Sequence, residues 1–251
     1  MKNKDELFIN RILDLSQQSE TQNIFTSTRF LSPLEQSLFL AMKKDLASAS
    51  FLTGGSESAI RKIAVFGSAE EMGYSFESPI RILHIKPKAE KFAETLNHRD
   101  YLGALMSMGI ERELTGDIVI RGKEAWVYVL ENIVEYLCEN LKQIRHTNVV
   151  CELADGDVPE LLPVFQTIQF NIASERLDLL IGGAAGISRE AAKKLLADEK
   201  VFVNGRVITS AGHKLKEGDE LVIRGFGKYV YNGTVSVSRK GRNNVVLKKF
   251  V

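Results

Sequence analysis

The sequence predicts an α+β protein of three small domains: an N-terminal α/β domain over residues 1–77, a central β-α-β-β-α-β domain over 78–172, and a basic C-terminal domain over 173–251. Three observations lead there. A chain of 251 residues suits two or three small cores better than one large one. Its middle alternates strand and helix patterns in the order just given. From Ser174 the texture changes to a helix, a glycine-rich bend, a second helix and a run of hairpins.

The elements follow in order. Leu7, Phe8, Ile12, Leu13 and Leu15 recur at helical spacing and predict a first helix. A second begins at Ser32-Pro33-Leu34-Glu35. Ser32 is suited to cap it, Pro33 to the first helical position, and Glu35 to reach back to the cap amide. Leu34, Leu38, Met42 and Leu46 are its expected apolar stripe. Thr53-Gly54-Gly55-Ser56 breaks the pattern, and residues 60–66 read as a strand ended by Gly67-Ser68. In the centre, 80–85 alternates as a strand and 98–108 is helical up to Gly109. Residues 117–121 and 125–129 form a hairpin about Gly122-Lys123. Ile133, Val134, Leu137, Leu141 and Ile144 make another helix, and 149–151 a last strand. That order matches a split β-α-β, ferredoxin-like domain. Residues 165–172 add a strand leading out of it. Beyond Ser174 come a short helix, a bend at 182–186, and a helix from Ser188 to about Ala197. Two strands flank Asn204-Gly205, a strong hairpin signal. A turn at 216–219 and strands at 221–224, 229–231, 235–237 and 245–250 complete the chain.

Hydrophobic residues at 44% and charged residues at 26% are ordinary globular usage. Residues 1–15 mix charges among apolar residues and lack the core of a signal peptide. No apolar run is long enough to span a bilayer, so a cytoplasmic protein with no membrane partner is expected. Cys138 and Cys151 stand outside any CxxC, and His84, His98, His146 and His213 are scattered. Buried thiols are expected rather than a bridge, with no metal and no cofactor. The net charge of +1 conceals an asymmetry. Residues 174–251 carry 15 Lys and Arg against 8 Asp and Glu, a net of +7, and residues 1–173 carry 18 against 24, a net of −6. Such an imbalance fits a polyanion-binding end on an acidic body, or a merely solvated basic face; charge alone leaves both open.

The stretch from Arg176 to Gly225 decides between them. Ser188 is a good cap, and the helix it opens offers free amides and a partial positive charge to an anion. Arg189 adds a planar fork suited to phosphate. Lys193, four residues on, shares its helix face, and Lys194 follows. Arg176 opens the preceding helix. Asn204, Arg206, Lys214, Arg224 and Lys228 lie on or beside the strands and complete the candidate RNA-binding set. Leu177, Ala192, Val203 and Gly218 read as core or turn. Asp178 reads as an internal partner for a nearby arginine, and Asn204 as first a turn residue. The dispersed pattern Arg176-Leu177-Asp178, Ser188-Arg189, Val203-Asn204-Gly205, Gly218-Asp219, Arg224-Gly225 resembles the S4 RNA-binding domain. One departure concerns the point between second helix and first strand. Members usually carry glycine there, and this chain has Asp198-Glu199-Lys200.

Residues 98–105, Gly109-Ile110 and Gly116-Asp117-Ile118 are similar to the central domain of the YlmH-type S4 proteins, and Arg224–Lys228 and Lys240-Gly241-Arg242 are similar to C-terminal segments of the same family. The resemblance implies an N-terminal domain, an RRM-like middle and a C-terminal S4 domain. It further implies a protein that binds structured RNA, of the large ribosomal subunit and possibly tRNA, in rescue of stalled translation, with a setting in cell division; a monomer is expected. No small-molecule substrate and no catalysis are expected. The alternatives are an accessory of RNA modification, such as a pseudouridine-synthase-like protein, or a cell-division scaffold. A pseudouridine synthase needs a second domain with its own aspartate, and Arg176-Leu177-Asp178 already opens the S4 pattern. Gly182–Gly186 follows no strand and has the wrong spacing for a cofactor loop. Trp126 and Tyr128 share a strand face, where an RRM stacks bases, but a single Trp on a sheet is more often core. His98-Arg99-Asp100 opens a helix and reads as structural.

Overall fold

A computed structural model describes residues 2–154, 158, 161, 164–239 and 241–250. Lys240, part of the C-terminal resemblance, lies outside the described residues. The chain is α+β and divides into two compact units, residues 1–32 with 43–162 and residues 33–42 with 163–251.

In the first unit, α1 (Lys2–Gln22) buries Ile12, Leu15, Ser16 and Ser19. Those positions repeat every three to four residues, one helical face. Leu7 and Leu13, expected in that stripe, lie on the exposed side. β1 (Thr26–Ser27) follows, then α2 (Pro33–Met42), which belongs to the second unit. β2 (Ser50–Thr53) and β3 (Ile63–Phe66) complete an antiparallel sheet in the order β1-β3-β2. Ser68 caps the short α3 (Ala69–Met72) by accepting from the Glu71 amide.

The central sheet comprises β4 (Ile80–Pro87), β5 (Thr115–Arg121), β6 (Glu124–Leu130), β7 (Gln143–Ile144) and β8 (Thr147–Leu153), with α4 (His98–Ser107) and α5 (Val134–Asn140) between them. Its order, β5-β6-β4-β8-β7, is antiparallel throughout. The first four strands reproduce the split β-α-β arrangement. α5 ends at Asn140, short of the expected Ile144. That residue instead pairs with Thr147 across a turn in which Arg145 takes φ 52°. α4 is opened by Asn97, whose side chain accepts from the Arg99 and Asp100 amides while the Asp100 carboxylate accepts from the Asn97 amide. Asp100 therefore works in a capping box.

One face of this sheet buries Leu83, Ile85, Ala125, Val127 and Val129 against Tyr101, Leu105 and Leu137. The opposite face is roofed. Tyr128 packs with Phe30, Ile63, Val65 and Ile80. Gly55, at φ 84°, admits the Tyr128 ring, which would stand 2.9 Å from any added Cβ. Trp126 is 5% exposed and stacks on His84, with ring centroids 4.6 Å apart. Both aromatics are core here, and neither is free to stack a base.

The second unit holds β9 (Phe165–Ile172), α6 (Leu177–Ala185), α7 (Arg189–Ala197), β10 (Val201–Val203), β11 (Arg206–Val207), β12 (Glu220–Ile223), β13 (Gly227–Val237) and β14 (Asn243–Phe250). The sheet order is β11-β10-β12-β13-β14-β9. Strand β9 pairs with β14 over eight residues and so belongs to this sheet. The two strands expected at 229–231 and 235–237 are one continuous strand with register shifts. α6 and α7 cover one face through Leu177, Leu180, Ile181, Ala192 and Leu196, packed on Val201, Val203, Leu221, Ile223 and Val245. Asn204 and Gly205 both take positive φ, 50° and 75°, as a two-residue primed turn requires. α2 lies along the β11 edge, where Ser37 Oγ accepts from the Val207 amide at 2.9 Å. Its buried residues are Gln36, Ser37 and Phe39. The expected stripe of Leu34, Leu38 and Met42 is only half-buried, and Leu46 falls beyond the helix.

The departure at Asp198-Glu199-Lys200 has a clear geometry. The Lys200 amide donates to Leu195 O at 2.9 Å and the Glu199 amide to Leu196 O at 3.1 Å, a Schellman closure. Glu199 sits at its left-handed position, φ 55°, where a side chain costs about 1 kcal/mol relative to glycine. Glu199→Gly is therefore expected to raise the unfolding free energy of the C-terminal unit by about 1 kcal/mol. Urea denaturation followed by circular dichroism measures it, and no gain or a loss contradicts the strain at this residue.

Candidate nucleic-acid interface

Arg176 ends the extended segment before α6, Asp178 lies in the first turn of that helix, and Arg189 is the first residue of α7. The bend between the helices closes at Gly186, φ 66°. It folds α7 back so that both arginines reach one carboxylate. Arg176 donates through Nε to Asp178 Oδ1 at 3.0 Å and through an Nη to Oδ2 at 3.4 Å. Arg189 Nε donates to Oδ2 at 2.7 Å. Asp178 has 0% exposure, whereas the arginine side chains are 43% and 48% exposed. Burial alone pushes the Asp178 carboxyl up, but the hydrogen bonds and charges of Arg176 and Arg189 outweigh it and hold it below its ordinary value. The carboxylate is thus ionised at neutral pH. Two cations around one anion leave a net positive group, with the outer guanidinium edges facing solvent.

Ser188 caps α7 by accepting from the Ala191 amide at 3.1 Å, so the helix presents its positive end beside Arg189. Lys193 lies one turn along and pairs with Glu190 at 2.9 Å; such an exposed pair is weak and readily exchanged. Lys194 is exposed on the same helix. The Leu177 amide donates to Ala211 O at 3.0 Å, which draws the loop carrying the exposed Lys214 against the start of α6. The remaining residues lie differently. Asn204 is engaged in its own turn, donating to Asp219 Oδ1 and accepting from the Glu220 amide. Arg206 is exposed on β11, the strand that α2 flanks. Arg224 is exposed at the turn between β12 and β13. Lys228 is buried at 2% exposure, paired with Glu220 at 2.8 Å, its ammonium 4.8 Å from the centre of the Phe250 ring. It is an internal cation with no surface to offer a polyanion.

Arg242, on the link between β13 and β14, lines the same cavity as Asp178 and Arg189. Sequence reasoning met it only within a family-like tripeptide, with no signal that its strand returns to α7.

The described residues hold no cluster of three or more metal-ligating side chains. No helix among them is long and apolar enough to cross a membrane. Cys138 and Cys151 are free thiols. Burial, then the neighbouring Cys138, pushes the Cys151 thiol up to about 12, so it is unreactive at neutral pH.

A sheet-backed pair of helices bearing this arginine–aspartate cluster defines an RNA-binding protein of the S4 class, and the S4 domain model matches residues 176–221. A second model, "Putative RNA-binding domain in YlmH", matches residues 75–156. The two matches together are the domain pair of the YlmH-type S4 proteins, to which the chain is similar. It is 28% identical over 229 residues to the "Ribosome-associated protein quality control protein P2" of Bacillus subtilis, covering 90% of this chain and 88% of that one. A solved structure titled "Cell division protein ylmH from Streptococcus pneumoniae" is 19% identical and covers 61% of this chain and 92% of its own, with a TM-score of 0.48.

The buried carboxylate makes a pH prediction. Its folded pKa lies below its unfolded one, so its stabilisation is complete above the unfolded aspartate value, about 3.9. It is lost as the pH falls through the folded value. Asp178→Asn is expected to lower stability at pH 7 by about 2 kcal/mol and to flatten the acid limb of the stability curve. Unfolding titrations between neutral and acid pH test this; a variant as stable as wild type at pH 7 contradicts it.

Proposed function

We propose that this protein holds structured RNA through its C-terminal unit, that the RNA belongs to the large ribosomal subunit or to tRNA, and that it acts in ribosome-associated quality control. The reading includes no catalytic step and a cytoplasmic monomer. The observation that carries it is the pair of half-exposed guanidiniums locked in place by a buried carboxylate at the N-terminus of α7. Such a surface matches phosphates at fixed spacing, which is how folded RNA is largely recognised. Preorganisation by Asp178 limits the rotamer entropy lost on binding. The name of the Bacillus relative supports the ribosomal setting.

Replacing both Arg189 and Lys193 with alanine is expected to weaken binding to purified large subunits by tenfold or more while the fold persists. The logarithm of wild-type affinity should fall linearly with the logarithm of salt concentration. In the double variant that slope should be shallower by about 1.5, since roughly two phosphate contacts are lost. A folded double variant that binds like wild type removes the proposal. Sedimentation of cell extract separates the ribosomal assignment: migration with large subunits supports it, and migration away from ribosomal RNA opposes it.

A further inference from the structure

A cavity of about 360 Å³ opens beside the arginine–aspartate cluster. Its walls come from three parts of the second unit. β9 supplies Phe170, Asn171 and Ile172. The two helices supply Asp178, Gly182, Gly183 and Arg189, with Ile187 between them, and the β13–β14 link supplies Arg242. The walls from β9 and from the β13–β14 link, Phe170 and Arg242 among them, fall outside the matched S4 segment at 176–221.

The cavity has a definite chemistry. Phe170 lies flush on α6 because position 183 is glycine; a Cβ there would stand 2.1 Å from the ring. Ring, glycine backbone, Leu179 and Ile187 make an apolar slot. Two arginines line it, Arg189 partly engaged by Asp178 and Arg242 without an ion pair among the described residues. An apolar slot with cations beside it suits a planar heterocycle carrying a phosphate. The volume lies at the small end of the range for organic ligands. Unpaired RNA bases are held in this way, on aromatic rings and guanidinium planes.

We propose that this cavity receives one unpaired nucleotide of the bound RNA, the base entering against Phe170 while Arg189 and Arg242 hold the flanking phosphates. A free small molecule of the same chemistry is disfavoured because Asp178 and Arg189 line the cavity and also form the proposed RNA surface, so the two are continuous. The inference rests on the RNA-binding reading above and adds a preference to it: the protein selects RNA helices interrupted by a bulge.

The test uses the full chain, a fully paired RNA hairpin, and the same hairpin carrying one bulged uridine, with binding followed by fluorescence anisotropy. Wild type is expected to bind the bulged hairpin about tenfold more tightly, the scale of one stacked base. Arg242→Ala is expected to abolish most of that preference, weakening the bulged hairpin at least about threefold more than the paired one. Phe170→Leu, which keeps an apolar side chain for the core, should also abolish the preference. Equal wild-type affinity for both hairpins overturns the cavity assignment and leaves the RNA reading intact. So does an Arg242→Ala variant that weakens both hairpins alike. Failure of wild type to bind either hairpin removes both.

Discussion

The C-terminal unit is organised around one shared carboxylate. Asp178 is wholly buried and takes hydrogen bonds from Arg176 and Arg189, which begin successive helices. A lone buried carboxylate is costly, and here its two partners make it tolerable. In return it fixes the angle between α6 and α7 and limits the freedom of two long side chains. An acidic residue at the centre of a basic face therefore works for that face. It prevents the arginines from repelling each other apart and leaves their outer edges oriented before any ligand arrives.

Much of this was legible in the sequence, for identifiable reasons. The β-α-β-β-α-β order could be read because its strands alternate and its turns fall on Gly109 and Gly122, both at positive φ. The Asn204-Gly205 hairpin could be read because few dipeptides accept that turn. Asp178 announced itself as a partner by standing two residues from Arg176. What resisted reading depends on pairing at a distance. The β9–β14 ladder joins residues more than seventy positions apart, and nothing local in 165–172 names its neighbour. α1 carries apolar residues all round, so its buried face was set by the sheet it packs on, through Ile12 and Leu15 rather than Leu7. Lys228 looked like another surface cation until Glu220 and Phe250 closed over it. Arg242 reaches the cavity only because the long hairpin returns its chain to α7.

The central domain shows how a fold and its usual use separate. Its sheet has the strand order of an RRM, and Trp126 and Tyr128 stand where such a sheet offers aromatic rings. Yet Phe30, Ile63 and Val65 of the same unit cover Tyr128, and His84 covers Trp126. The roof is pinned through polar contacts as well: the Asp117 carboxylate accepts from the Ile60 and Arg61 amides, and the Arg61 guanidinium donates to Phe30 O at 2.8 Å. Any contact this domain makes with RNA must use its helices, edges or loops.

The eight-residue pairing of β9 with β14 also constrains how the molecule is born. As the chain emerges from N- to C-terminus, β9 waits without its sheet neighbour until residue 250 has cleared the exit tunnel. Such late, long-range closure is slow compared with local helix formation. The S4 helices are built from local contacts, but the wall that carries Phe170 and Arg242 is assembled only once β14 is available. A nascent or clipped chain lacking β14 would present α6 and α7 without that wall, and a half-made copy would be poorly equipped to compete with finished ones.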